Sequence, residues 1–414
     1  EVGYRECETS RILCRALEQE GFAVRRGPWE TALRADLPGG SPGPRVAVLG
    51  ELDALTCPGH PDADPQTGAV HACGHHAQLA ALFGTAVGLK AAGAAGALAG
   101  SVALMAVPAE EYTDLDYRVR LIKQGRIAGV GGKQDMILRG AFQDVDMAMM
   151  VHSAADPEPV VRVGGAGMGF LGKQVRFIGK EAHAGGAPHR GVNALNAAMA
   201  AILCIHAQRE TFRDEDTVRV HPILTKGGDV VNIVPADVRR ECYVRAGNMA
   251  AVADANRKVN RAIRGACMAI GAGYEIEDMP GYFPLHQDPA MSALFARNAE
   301  SLMGNGVRWN EAFPGSTDMG DLGYLLPVIQ PTVGGFSGTA HGIDFQVCDE
   351  TAAFVLPAKL MAMTVVDLLA DGAAAARQIL AGFRGASAAE YRVLRDGMTR
   401  SFSAKAGAEE EEPS

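Results

Sequence analysis

RVAVLG, residues Arg45–Gly50, is a short unbroken apolar run with no polar face, the pattern of a strand covered on both sides. Two further runs of this kind are SVALMAV at Ser101–Val107, stopped by Pro108, and Met147–Val151. A small-residue helix over about 77–97 separates the first two. Buried strands alternating with helices imply a mostly parallel sheet with helices on both faces, an α/β fold. In such a sheet the C-terminal strand ends converge on one crevice, so residues far apart in sequence can meet there.

Working outward, residues 4–20 carry helical spacing, Gly21 ends that helix and Phe22–Arg25 starts a strand. The middle of the chain reads differently. Lys173–Ile178 alternates as a strand, Asn193–Gln208 is a helix, and Thr217–Thr225 and Val238–Arg245 are strands around a Gly-Gly turn. Ala250–Ile270 is a helix and Tyr274–Glu277 a last strand. That order, β-α-β-β-α-β, is a ferredoxin-like α+β unit inserted into the larger domain. The α/β pattern then resumes with a helix at about 289–303, a strand near 328–333 and a long helix from about 350. The expected division is 1–170 and 283–402 for the larger domain, 171–282 for the insert, and 403–414 for a disordered acidic tail ending in EEEEPS.

Composition narrows the function. The chain is 48% hydrophobic and 21% charged, as expected of a folded soluble protein, and its net charge of −9 argues against a nucleic-acid partner. The Ala/Gly stretch near 77–100 carries Lys90 and does not read as a membrane span, so no membrane partner is expected. The start, Glu1–Arg26, is charged and amphipathic and lacks a signal-peptide pattern. The eight scattered cysteines form no disulfide framework, which fits reduced thiols and a cytoplasmic setting.

Histidine is scarce, at 11 residues, and His75, His152 and His341 each follow or flank a predicted buried strand. Cys73-Gly-His75 opens a helix on a tight turn. Two donors so spaced can chelate an ion, and the helix N-terminus favours a Cys73 thiolate. Glu110-Glu111 ends the strand that Pro108 stops. Two adjacent carboxylates there repel, so water or a cation must offset them. One of them can hold a metal while the other takes a proton from water. Cys, His and Glu donors suit Zn²⁺, with Mn²⁺ or Co²⁺ as alternatives. Singly, each piece has a plainer reading. Cys73 could be a core thiol, Glu110-Glu111 a solvated pair, His152 a satisfied core histidine, His341 a surface residue and His183-Ala-Gly-Gly a turn.

Taken in order, the motifs GELDAL (50–55), HACGHHAQ (71–78), VPAEE (107–111), MMVH (149–152), GKEAHAGGAPHRGVNAL (179–195), VVNIVPADV (230–238), GSTDMGDLGYLLP (315–327) and GTAHGIDF (338–345) cover most of the chain. Together they resemble the aminoacylase, carboxypeptidase-G and plant auxin-conjugate amidohydrolase family of co-catalytic metallopeptidases. The resemblance implies a metallopeptidase-type catalytic domain with an inserted ferredoxin-like lid that often serves dimerisation. It also implies one or two divalent ions, Zn or Mn, on Cys73, His75, Glu111, His152 and His341. Glu110 matches the general base, Asp53 the carboxylate that orients a ligand, and His183 the oxyanion-stabilising lid histidine, commonly across a dimer interface. Asn232 and Arg245 match positions that bind a substrate carboxylate.

Three departures from the family stand out. His76 replaces the usual Asp or Asn and offers an extra ligand or a proton carrier beside the substrate. Gln78 stands where many relatives have His. A charged insertion, Tyr112–Asp135, brings Tyr112, Tyr117, Arg118 and Arg120 near the base, either as a surface helix or as a cap over the substrate pocket. The expected reaction is hydrolysis of a C–N bond in an N-acyl or N-aroyl amino acid or a dipeptide, by a homodimer or higher homo-oligomer. A nitroanthranilate-like hydrolytic deaminase is the alternative enzyme. A non-catalytic, metal-stabilised binding protein is the alternative of another class.

Overall fold

The computed structural model describes residues 1–27, 29–311 and 315–407, which fall into two compact units. Unit one comprises Glu1–Gly167 and Leu285–Tyr391. Its main sheet has six strands, in the order Val24–Arg26, Leu33–Pro38, Ala99–Val107, Ser41–Glu51, Met147–Met149, Val328–Ile329. The last four pair parallel and the first two add on antiparallel, giving the mostly parallel sheet that the apolar runs imply. Val46, Val48, Leu104 and Met149 from these strands share one core with Leu82, Phe295 and Leu368 from helices His75–Ala91, Pro289–Met303 and Leu356–Leu369. Asp288 caps the second of these helices, accepting from Ala290 N and Met291 N at 3.0 and 2.9 Å, with Pro289 in the first turn where its missing N–H costs nothing. The apolar segment Thr351–Leu369 has the length and hydropathy of a membrane span, yet its Leu360, Met361, Val365 and Leu368 are fully buried in this core.

Unit two comprises Met168–Pro284 and the chain from Arg392 onward. Its antiparallel sheet runs Arg219–Lys226, Asp237–Ala246, Gly169–Ile178, Gly273–Pro280, Arg400–Ala404. Helices Ala194–His206 and Met249–Ile270 pack together and bury Ala197, Ala201, Val259 and Ile263 against Val175, Phe177, Val238 and Ile276. The fifth strand corrects two expectations. Residues 400–402 were expected in the larger domain and 403–414 in a disordered tail, but Arg400–Ala404 pairs with Asp278–Tyr274. The reason is the open edge of Gly273–Pro280, whose unpaired backbone groups this segment satisfies while Phe402 packs against the unit-two core. The rest of the acidic tail, residues 408–414, lies outside the described residues.

Candidate metal centre

The site is assembled around Asp53, which follows the end of strand Ser41–Glu51 and is fully buried. Its Oδ1 accepts from Glu110 N at 3.1 Å and its Oδ2 from Glu111 N at 2.9 Å, so one carboxylate fixes the loop that carries both glutamates. Its backbone carbonyl lies 2.8 Å from His75 Nδ1, which leaves Nε2 of that ring facing the site. Burial opposes ionisation of Asp53, but the hydrogen bond and charge of His75 outweigh it and hold the carboxyl below its usual range. Cys73 and His75 flank Gly74, whose φ of +88° is open to glycine and where a Cβ would collide with Ser153 Oγ. Ala109 and His341 also hold positive φ, at 54° and 66°, in the loops that deliver Glu110 and the last imidazole. Such backbone costs energy and collects at functional sites.

Five expected donors form two groups that share the Cys73 sulfur: Cys73, His75 and His152, and Cys73, Glu111 and His341. Within each group the ligand atoms lie within 4.8 Å of one another. Cys73 Sγ is 3.6 Å from His152 Nε2 and 3.2 Å from His341 Nε2, and Glu111 Oε1 is 3.4 Å from His341 Nε2. The His152 ring is set by its Nδ1, 3.0 Å from Ser153 O. Two atoms fit a cation there: His75 Nε2 and Glu111 Oε1 are buried, make no hydrogen bond of good geometry, and face other donor atoms, Glu51 Oε2 at 3.0 Å and His341 Nε2 at 3.4 Å. The electrostatics agree. Burial together with Glu51, Glu111 and Asp318 pushes Glu110 well above the usual carboxylate range, so positive charge among these groups is favoured. Burial and the Glu111 charge push the Cys73 thiol well up, so the anion needs a cation beside it.

A third group, Glu51, His75 and Glu110, includes a residue not singled out from sequence. Glu51 Oε2 is 3.0 Å from His75 Nε2 and accepts from Gln78 Nε2 at 2.8 Å. Its Oε1 accepts from Lys133 Nζ at 2.5 Å, and Lys133 also donates to Asp318. All three charged side chains are buried. Glu51 lies two residues from Asp53 in GELDAL, and that spacing was a usable signal; the burial of Lys133 had none. Lys133 belongs to the insertion, whose helix Leu115–Lys123 exposes Asp116, Arg120 and Lys123 on one side and buries Leu115, Arg118 and Leu121 on the other. Arg118, fully buried on helix Leu115–Lys123, donates to Ala109 O at 3.1 Å, Val130 O at 2.9 Å and Glu111 O, bracing the glutamate loop from behind.

His76 is in none of the donor groups among the described residues, which speaks against the extra-ligand role; its ring packs 6.0 Å from Phe354 and 5.4 Å from His71. The helical rotation of one residue from His75 turns it into an aromatic cluster, and burial, then His75, push it down to about 4. Within unit two, His183 and Ile233 form an antiparallel bridge, and Ala184 N donates to Asn232 O at 2.9 Å, so the His183 and Asn232 segments lie side by side. His183 Nδ1 accepts from Gly186 N at 2.9 Å. The Arg245 guanidinium lies 5.4 Å from the ring centres of both Phe170 and Tyr243.

A parallel-sheet crevice holding a Cys/His/Glu donor set, buried at Cys73, His75 and Glu111 and open at His341, beside a second glutamate has the makings of a metal-dependent hydrolase. The comparisons give the family. The model for peptidase family M20/M25/M40 matches residues 47–363, and the chain belongs to that family. It is an amidohydrolase-type enzyme dependent on a divalent metal. It is 28% identical over 355 residues to the Xaa-Arg dipeptidase of Mus musculus, covering 82% of this chain and 74% of that one. It is 29% identical over 302 residues to a chain of the p-aminobenzoyl-glutamate hydrolase of Escherichia coli, covering 70% and 64%. A dinuclear metal-binding peptidase of the M20 family from Bacillus subtilis shares the fold, with a TM-score of 0.67 and 22% identity over 89% of this chain and 94% of that one.

Proposed function

We propose that the chain hydrolyses the amide bond of an N-acyl or N-aroyl amino acid or a dipeptide whose free carboxylate is recognised by the enzyme. The observation that carries this reading is the Glu110 carboxylate placed beside two donor groups that share one sulfur. We assign Cys73, His75, Glu111, His152 and His341 as ligands, with room for two ions. Zn²⁺ is the first choice for this borderline-soft set and Mn²⁺ the second. Bound by these residues, a divalent ion would supply Lewis-acid activation of water. Glu110 takes the proton and returns it to the leaving nitrogen. Asp53 holds the Glu110 and Glu111 amides in register for that transfer. We assign His183 to the oxyanion, and Asn232 and Arg245 to the substrate carboxylate. The Phe170 and Tyr243 rings beside Arg245 support this by limiting the positions its guanidinium can take. The names of the relatives, a dipeptidase and an aminobenzoyl-glutamate hydrolase, support the amide reading.

The test offers zinc- or manganese-loaded protein a panel of acyl amino acids, aroyl glutamates, dipeptides and aminobenzoates. Release of a free amino acid is expected, and a chelator should abolish it. Ammonia from an aminobenzoate with no second organic product would replace this reading with aryl-amine deamination.

We further propose a cytoplasmic homodimer. The eight cysteines are all free, as in a reducing compartment. Strand Arg219–Lys226 is an open sheet edge with Ile223 and Leu224 exposed, and helix Ala194–His206 exposes Met199 and Leu203 four residues apart. A second copy would cover this apolar surface. Met199→Asp with Leu203→Asp should halve the mass measured by light scattering. An unchanged mass would place the interface elsewhere.

A further inference from the structure

The two long helices of unit two do not cover its whole sheet. Helices of roughly 10 Å width laid side by side span about four strands at roughly 4.8 Å spacing, and this sheet has five. Helix Met249–Ile270 packs on strands Asp237–Ala246, Gly169–Ile178 and Gly273–Pro280. The fifth strand, Arg400–Ala404, extends past it at the edge opposite Arg219–Lys226. Helix and strand together line a cavity of about 350 Å³, within the roughly 300–1,000 Å³ range of small-molecule sites.

The wall joins two chemistries. Val252, Met398 and Phe402 supply apolar surface, Arg257, Arg261, Arg264 and Arg400 supply guanidinium groups, and among the described residues no acid lines it. Steps of four and three residues put the first three arginines on one helix face, where like charges repel. Arg400 stands opposite Asp278 in the strand register and Phe402 opposite Ile276, so both point to the helix-covered face. Arg257 has a carboxylate partner, Asp254 at 2.9 Å. Arg261 instead donates to Gln208 Oε1 at 3.3 Å, and Arg400 Nε to Gly397 O at 3.2 Å, both neutral acceptors. Among the described residues no carboxylate lies within ion-pair distance of Arg261, Arg264 or Arg400.

The interior behind the wall is basic as well. Among the described residues of unit two, the buried charged side chains are Lys173, Arg240 and Arg395 against one acid, Asp278. Arg395 pairs with the exposed Asp396 at 3.0 Å, and Lys173 pairs with Asp278 and donates to Asn260 Oδ1, in the cavity wall, at 2.6 Å. Arg240 is 1% exposed, its three guanidinium nitrogens have no hydrogen-bond partner, and its charge reaches Lys173, whose protonation it opposes. Charge in a low-dielectric interior is poorly screened, so this core adds to the positive field of the wall instead of cancelling it. On a chain of net charge −9 such a concentration of cations is a local feature.

We propose that this cavity binds a small organic anion with an apolar body and a carboxylate or phosphomonoester head. Arg261, Arg264 and Arg400 take the head through charge-assisted hydrogen bonds, for which the guanidinium fork is suited, and Val252, Met398 and Phe402 cover the body. The site lies within unit two, whereas the donor cluster belongs to unit one, and it does not depend on the amide-hydrolase reading.

The test follows the methyl resonances of Met249 and Met398, both in the cavity wall, by nuclear magnetic resonance of zinc-loaded, methionine-labelled protein. Phenyl phosphate and benzoate at millimolar concentration should shift them, and benzyl alcohol should not. Tighter binding of phenyl phosphate assigns the phosphomonoester class, and tighter binding of benzoate the carboxylate class. Added salt should weaken both. Arg261→Ala with Arg264→Ala, two exposed positions, should raise Kd for the tighter anion about tenfold, the order expected for hydrogen bonds to a charged group. No shift with either anion, an equal shift with benzyl alcohol, or unchanged affinity in the double variant overturns the proposal. Inorganic phosphate bound as tightly as phenyl phosphate would overturn the role of the apolar wall. Should the double variant not fold, Arg400→Gln on the strand replaces it, with the same fall expected and the same meaning if affinity is unchanged.

Discussion

Replacing Glu110 with glutamine is expected to abolish turnover while the number of bound metal ions stays unchanged. The substitution keeps the size of the side chain, and the backbone hydrogen bond from residue 110 to Asp53 Oδ1, at 3.1 Å, does not depend on the side chain. What is lost is the ability to accept a proton. General-base action contributes about 10²–10⁴ in rate, and the loss should be of that order in kcat. The metal count distinguishes two roles that the geometry allows, because Glu110 also falls in a donor group with Glu51 and His75. If Glu110 were a ligand, the glutamine variant would bind less metal, as judged by elemental analysis after dialysis. If it were neither base nor ligand, kcat would stay within about tenfold of wild type. Only loss of turnover with metal retained fits a base held by Asp53 beside an independent donor set.

The parts of this molecule that sequence makes legible are those decided locally. RVAVLG and SVALMAV read as buried strands because an unbroken apolar run has no solvent face to offer, and they pair parallel in the main sheet. The rare histidines at strand ends lead to the donor cluster for a related reason: a parallel sheet collects its strand ends. What escaped sequence reading depends on contacts made at long range. Lys133 looks like a solvated lysine in a charged insertion, and only its pairing with Asp318, 185 residues on, makes it a core residue. Arg118 is disguised in the same way. The strand Arg400–Ala404 is too short and too polar to show a period, and it forms because a distant edge needs a partner. At Cys73 burial and the Glu111 charge push the thiol up, contacts that its place before a helix does not reveal. His76 falls outside the donor groups because one helical step separates its direction from that of His75.

Lys133→Met is expected to destabilise the metal-free protein by about 3–5 kcal/mol, the range for breaking a buried ion pair from one side. Lys133 Nζ lies between Glu51 and Asp318, its backbone N–H donates to Asp318 Oδ2 at 2.8 Å, and none of the three side chains reaches solvent. Burial works against the lysine charge, but Asp318, Glu51 and Glu110 outweigh it and hold Lys133 protonated. Removing that cation leaves two buried carboxylates facing each other, with Glu51 also pinned by Gln78. Their response fixes the pH dependence. Asp318 is already raised to about 6, by burial first and then by Glu51, and losing Lys133 raises it further. A carboxyl whose folded pKa exceeds its unfolded value contributes stability at low pH and loses it as pH rises through the folded pKa. The deficit of the variant should therefore be smaller near pH ~5 than near pH ~8. Urea unfolding in chelator, followed by circular dichroism, measures both quantities. Adding Asp318→Asn to Lys133→Met should recover part of the loss, because it removes one of the stranded charges. A single variant within about 1 kcal/mol of wild type at both pH values would mean that Lys133 does not compensate this cluster. The acidic floor beneath His75 would then have to be balanced by other means.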